Sequence, residues 1–145
     1  MSTTPPPAAP PYRTRVAFHH TDAAGIVHFA NYFLFAEEAE TALLAALKLP
    51  GPREGMQYPR VSAGAEYLRP LHFGDEVEVL ARLQKLGRSS LHWLFTVSGP
   101  EGTCARLHIC TARRNSRGEA APYSPEERAR LEALILPQAA PSNDT

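Results

Sequence analysis

HHTDAAGIVHFANYFLFAEEAETALLAAL, residues 19–47, is the stretch of this 145-residue chain on which the reading of the fold turns. It opens as the end of a strand, breaks at Thr21-Asp22-Ala23-Ala24-Gly25, and then takes on helical spacing. Tyr32, Phe33, Leu34, Phe35 and Ala36 follow one another without a polar residue. That run predicts a helix buried on every side at this end rather than an amphipathic one. Asn31 stands where a cap is expected. Glu37, Glu38 and Glu40 come next, then Ala42 to Leu47, before Pro50 stops the helix. About 17 residues of helix span roughly 25 Å, enough to cross a small domain. An apolar helix entered through an Asp-bearing loop predicts an α+β fold. In it an antiparallel sheet wraps around one long central helix, with a carboxylate at the helix mouth.

Working outward, residues 1–12 are Pro-rich and are expected to be disordered. Arg13 to His20 alternates and predicts a first strand. Leu49 to Gly55 is a linker of breakers. From Tyr58 the pattern changes to period two. Strands are expected at 59–68, 76–83, 91–97 and 104–113, with turns at 70–75, 85–90 and 99–102. Leu91, Trp93, Phe95 and Val97 share one strand face, and Ala105, Leu107, Ile109 and Thr111 another. Ser124 as cap, Pro125 at the first position and Glu126 and Glu127 in the first turn open a short helix. Residues 137–145 are expected to be a disordered tail, so one domain covers 13–136. Hairpin-joined strands imply an antiparallel sheet with one face free for the helix.

Composition narrows the function. Hydrophobic residues make up 43% of the chain, and 15 basic residues balance 15 acidic ones. That neutrality argues against nucleic acid as a partner. No apolar run approaches the ~18 residues of a membrane span, and the N-terminus lacks the features of a secretory signal. Cys104 and Cys110 would lie roughly 20 Å apart on one strand, too far for a disulfide, and are read as free thiols. A reducing, cytoplasmic location is expected.

Asp22 is the first candidate for chemistry. It is either a turn residue, as in many Asp-x-x-Gly loops, or a carboxylate between helix and sheet acting as base or nucleophile. The N–H groups that open the helix lie near it and can stabilise an oxyanion. Glu37 either faces solvent or orients water in a pocket, and Glu38 is expected at the surface. Arg88-Ser89-Ser90 is a polar turn or a phosphate contact, which Arg113, Arg114 and Arg117 can join. His19, His20, Asp22 and His28 match no zinc spacing, and no metal or other cofactor is expected. His28 reads as a pocket or interface residue. His92 and His108 read as structural. There is no G-x-S-x-G elbow.

Two long motifs carry a resemblance. VAFHHTDAAGIVHFANYFLFAEEAE, residues 16–40, resembles the signature of hotdog-fold acyl-CoA thioesterases of the 4-hydroxybenzoyl-CoA thioesterase type. VSAGAEYLRPLHFGDEVEVLARLQKLGRSS, residues 61–90, resembles the same family's second region. The resemblance implies the hotdog fold, a homodimer or homotetramer with sites at the subunit interface, and hydrolysis of an acyl-CoA substrate to free acid and CoA. It implies that Asp22, in T-D-A-x-G, is nucleophile or general base. It also implies that the main-chain N–H of Phe29 polarises the thioester carbonyl. His28, Asn31, Tyr32 and Glu37 fall on substrate-binding positions, and Arg88, Ser89 and Ser90 near the CoA nucleotide. Many members carry His where Phe29 stands here, with the His of this chain one residue earlier at His28. The G-I-V-H-F-A-N run is similar to the branch that includes 1,4-dihydroxy-2-naphthoyl-CoA hydrolases, which implies an aromatic acyl group. The rivals are a hotdog dehydratase, which calls for a His–Glu pair, and a non-catalytic acyl-CoA-binding protein.

Overall fold

The computed structural model describes residues 9–137; the expected disordered stretches at 1–8 and 138–145 lie outside the described residues. Five strands, β1 (Tyr12–Arg15), β2 (Arg60–Tyr67), β3 (Glu76–Leu86), β4 (Ser90–Gly99) and β5 (Gly102–Ala112), form one sheet in the order β1-β3-β4-β5-β2. Every neighbouring pair is antiparallel. Helix α1 (Asn31–Ala46) packs on one face of this sheet, touching β1, β3, β4 and β5, and α2 (Pro125–Glu132) follows the last strand. This is the hotdog arrangement.

The alternation of the C-terminal half sets the core. Val77, Val79, Ala81 and Leu83 of β3 are buried, as are Leu91, Trp93, Phe95 and Val97 of β4 and Ala105, Leu107, Ile109 and Thr111 of β5. They meet Tyr32, Phe35, Ala36, Ala39 and Leu43 of α1. Both cysteines are free thiols, Cys104 buried and Cys110 half-buried. His92 and His108 sit on the outer sheet face, where His108 meets Gln84 Oε1 at 3.1 Å.

Several expectations need correction. The first strand begins at Tyr12, whose Cα pairs with Val79, and it ends at Arg15. The segment before it is held too, since Arg82 Nη2 donates to the Ala9 carbonyl at 3.3 Å. Phe18–His20 is a 3-10 turn, not strand. The Ala17 N–H donates to His20 Nδ1 at 2.8 Å and Thr21 Oγ donates to the Phe18 carbonyl at 2.7 Å, so side chains take over the backbone partners a strand would need. Asn31 is not the cap. Ala30 is, with no side-chain bond, while Asn31 Nδ2 donates to the His20 carbonyl at 2.8 Å and ties turn to helix.

Nor is α1 buried all round. Its buried stripe is Tyr32, Phe35, Ala36, Ala39, Glu40 and Leu43, and Leu34, Glu37 and Thr41 are exposed on the other side. The helix ends before Pro50. Lys48 adopts a left-handed φ of 56°, and the Leu49 N–H donates back to the Leu44 carbonyl at 3.0 Å.

Candidate active site

The loop that enters α1 is closed by its own backbone. Thr21 bridges Val27, the Asp22 N–H donates to the Ile26 carbonyl at 2.8 Å, and the Gly25 N–H donates to the Asp22 carbonyl at 3.0 Å. Gly25 sits at φ 82°, where a side chain would be strained. Asp22 Oδ1 accepts the Ala24 N–H at 2.8 Å, so one carboxylate oxygen does the work of a turn residue. Among the described residues no donor reaches Oδ2. The turn role therefore occupies only one oxygen of the side chain. In the single chain Asp22 is exposed, not enclosed between helix and sheet.

Asp22 lines a cavity of about 330 Å³ with Phe29 and Tyr32 at the helix entrance and Tyr67, Leu68 and Arg69 at the end of β2. The Phe29 N–H has no acceptor among the described residues, whereas its carbonyl accepts the Tyr67 hydroxyl at 2.8 Å. Tyr67 packs edge-on to the buried Tyr32 ring at 5.2 Å. Burial pushes the phenol of Tyr32 up from its ordinary value. The cavity is open to one side, because Phe29, Tyr67 and Leu68 are 64%, 45% and 50% exposed.

The other expected residues are not all brought here. His28 is exposed, stacks on the Phe29 ring at 4.6 Å and accepts the Ala30 N–H at 3.2 Å through Nδ1. Asn31 is occupied by the His20 carbonyl. Glu37 lies outside this cavity, on the exposed side of α1, and it is Glu38 that accepts the Tyr12 hydroxyl, at 3.3 Å. His20 is buried against the Phe35 ring, and burial lowers its pKa.

Arg88, Ser89 and Ser90 form the β3–β4 turn. Ser90 pairs with Ala112, whereas Tyr67 pairs with Ala105 at the other end of β5. Seven residues of strand put the turn roughly 23 Å from the Asp22 end of the same chain. Arg113 does not join a phosphate site. It is 2% exposed and donates to both Glu127 oxygens, at 2.6 and 2.8 Å, and to the carbonyls of Ala121 and Pro122.

A larger groove, about 930 Å³, runs between α1 and the segment leading into β2. On it lies an ion pair that residue types alone did not single out. Arg60 Nη1 and Nη2 donate to Glu40 Oε2 and Oε1 at 3.0 and 2.6 Å. The signal was present: Glu40 falls four residues after Ala36 and three before Leu43, on the buried stripe of α1. Tyr67, Leu68 and Arg69 were also missed as site residues, because only pairing with β5 brings them to the helix entrance.

Among the described residues no His, Cys, Asp or Glu side chains gather in a group that could hold a metal ion, and no helix is long and apolar enough to cross a membrane.

Comparison with known proteins supplies the family. The Thioesterase superfamily profile matches residues 24–105. A 1,4-dihydroxy-2-naphthoyl-CoA hydrolase of Synechococcus elongatus is 32% identical over 103 residues, 66% of this chain and 76% of its own length. The crystal structure of a hypothetical protein from Aquifex aeolicus matches with a TM-score of 0.76 at 30% identity, over 83% of this chain and 98% of that one. A gentisyl-coenzyme A thioesterase matches with a TM-score of 0.76 at 27% identity, over 83% and 98%. The chain thus belongs to the thioesterase superfamily and is a thioester hydrolase.

Proposed function

We propose that the protein hydrolyses an acyl-CoA thioester with an aromatic acyl group, at a site that two copies of the chain complete. One observation carries the chemistry: Asp22 and Phe29 line the same cavity, and among the described residues Asp22 Oδ2 has no donor and the Phe29 N–H no acceptor. The thioester carbonyl oxygen accepts the Phe29 N–H, at the positive end of α1, which stabilises the oxyanion as it develops. Asp22 then acts in one of two ways. As nucleophile it attacks the carbonyl carbon and expels the CoA thiolate, leaving an anhydride that water hydrolyses. As general base it takes a proton from the water that attacks directly. Either route ends in free acid and CoA. The aromatic acyl group is supported by the naphthoyl- and gentisyl-CoA thioesterases among the relatives and by the Phe29, Tyr32 and Tyr67 rings around the cavity.

β2 offers the surface on which the second copy pairs. This edge strand has exposed residues along nearly its whole length and small ones, Ser62-Ala63-Gly64-Ala65, at its centre. An unprotected edge of this kind is a template for pairing. A two-fold pairing that keeps each face of the sheet on its own side must oppose residues of the same parity. A register centred on Gly64 opposes Ala63 to Ala65 of the other copy and lays Arg60 and Val61 beside the second copy's Tyr67 and Leu68. The Arg88-Ser89-Ser90 turn then lies two strands in from that junction, ~10 Å away. There it can meet the CoA phosphates of the other copy's site. The homodimer is the minimal unit of this reading, and a homotetramer adds nothing the site requires.

The test is free-thiol release from short-chain, long-chain, benzoyl- and hydroxynaphthoyl-CoA, run beside Asp22→Asn. That variant keeps the shape and should cut turnover by at least ~100-fold. A loss below tenfold would remove Asp22 from the chemistry. Binding of acyl-CoA without any thiol release would favour the non-catalytic alternative.

A further inference from the structure

The groove between α1 and the segment leading into β2 holds a buried carboxylate that the chemistry above does not use. Glu37, Thr41 and Leu44 of α1 form one wall, and Pro52 and Tyr58 the other. Glu40 is 4% exposed. Its oxygens each accept one Arg60 nitrogen and, among the described residues, nothing else, so each keeps an unfilled lone pair. The Arg60 side chain is 34% exposed. Burial raises the Glu40 pKa, and Arg60 only partly opposes that. Stability alone is a weak reason to keep such a pair, since an apolar pair of the same volume often serves as well.

Position makes the pair more than a strut. Arg60 pairs with Thr111 and Tyr67 with Ala105, both residues that face the helix; a register shift between Arg60 and Ser62 breaks the alternation of β2, so Arg60 and Tyr67 lie on the same side of the sheet despite their odd separation. Within one chain Glu40 stands eight residues beyond Tyr32 on α1, roughly 12 Å away. Pairing of the two β2 strands about Gly64 instead brings the second copy's Arg60 next to Tyr67 and Leu68. The two cavities then run together across the junction.

Resting on that hydrolase reading, we propose that the Glu40–Arg60 pair of one copy forms the acyl end of the other copy's Asp22 site and selects acyl groups that carry a ring hydroxyl. The hydroxyl donates to the Glu40 carboxylate and accepts from the Arg60 guanidinium, both charge-assisted bonds. An unsubstituted ring leaves the buried Glu40 carboxylate underfilled, and sites built to bond a hydroxyl reject analogues that lack one.

The experiment compares kcat/KM for benzoyl-CoA and its ring-hydroxylated isomers in the full chain and in Glu40→Gln. The unmodified protein should favour one hydroxylated isomer by at least ~10-fold, and Glu40→Gln should bring that ratio close to one. No preference in the unmodified protein, or an unchanged ratio in the variant, overturns the proposal while leaving the hydrolase reading intact. No thiol release from any ester by the unmodified protein removes both. If circular dichroism shows Glu40→Gln unfolded, Glu40→Gln with Arg60→Gln, which leaves no uncompensated charge, is read in the same way. A mixed dimer of Asp22→Asn and Glu40→Gln chains, separated by two different tags, tests the sharing. Its single working Asp22 lies on the Glu40→Gln chain. A return to the unmodified ratio places Glu40 in the other copy's site, and a ratio near one refutes that.

Discussion

Asp22 and Tyr67 show how much a single side chain decides here. Asp22 is both a turn former and the candidate catalytic group, because Oδ1 holds the Ala24 N–H while Oδ2 has no donor among the described residues. Tyr67 anchors the Phe29 carbonyl and packs on Tyr32, so it holds from its C-terminal side the residue whose own N–H, one peptide earlier, is the proposed oxyanion donor. Tyr67→Phe keeps the ring and loses one hydrogen bond. It should lower kcat about tenfold, near 1.4 kcal/mol, with a smaller change in KM. A change confined to KM would show that the hydroxyl supports substrate and transition state equally. Phe29→Ala, by contrast, leaves the donor N–H in the backbone and should cost less in kcat than Asp22→Asn.

Among the elements, α1 and β2 are only half occupied by the chain they belong to. The apolar run at the start of α1 looked buried on every side, yet the chain covers one stripe and leaves Leu34 exposed. The period of the stripe was legible; which residues a second surface covers was not, since apolar character does not say what covers it. For β2, Gly64 makes the pairing testable. It has no left-handed φ, and a Cβ there meets nothing within 4 Å, so the single chain tolerates a side chain. In the Gly64-centred register, Gly64→Glu opposes two like charges directly and should shift sedimentation to the monomer. Thiol release should fall with it. An unaltered dimer would exclude this register. Arg88→Ala should raise KM for acyl-CoA more than it lowers kcat, as a remote phosphate contact gives mostly uniform binding; an unchanged KM removes Arg88 from the CoA site.

For the molecule as a whole, the ion pair that ties α2 to the sheet sets the response to acid. The Arg113 guanidinium, by hydrogen bonds first and charge after, pulls Glu127 from the ordinary 4.5 down to about 2. A carboxyl depressed in the folded state contributes stability that is complete above its unfolded value and is lost as pH falls through the folded one. The loss should therefore run from about pH 5 to pH 2 and amount to about 3 kcal/mol. Glu40 runs the other way, its raised pKa adding a cost as pH rises above 4.5. Urea titrations across that range should show the acid limb in the unmodified protein and its near-absence in Glu127→Gln. An undiminished limb in the variant would assign it to another carboxyl.

Local chemistry determined much of this protein. The strand alternation from Glu76 to Ala112, the Ser124 cap and the T-D-A-A-G turn act over a few residues, and each is written in consecutive side chains. So was the motif that marks the family. What only the tertiary structure decided are encounters between distant segments. Tyr67 comes to Phe29, Arg60 to Glu40, and Arg113 to Glu127 through sheet order and register. The Arg88 turn goes to the far end of the sheet for the same reason. Many arginines look alike in a sequence; burial and a fixed partner make one a strut and leave another, at an open groove, free to meet a ligand.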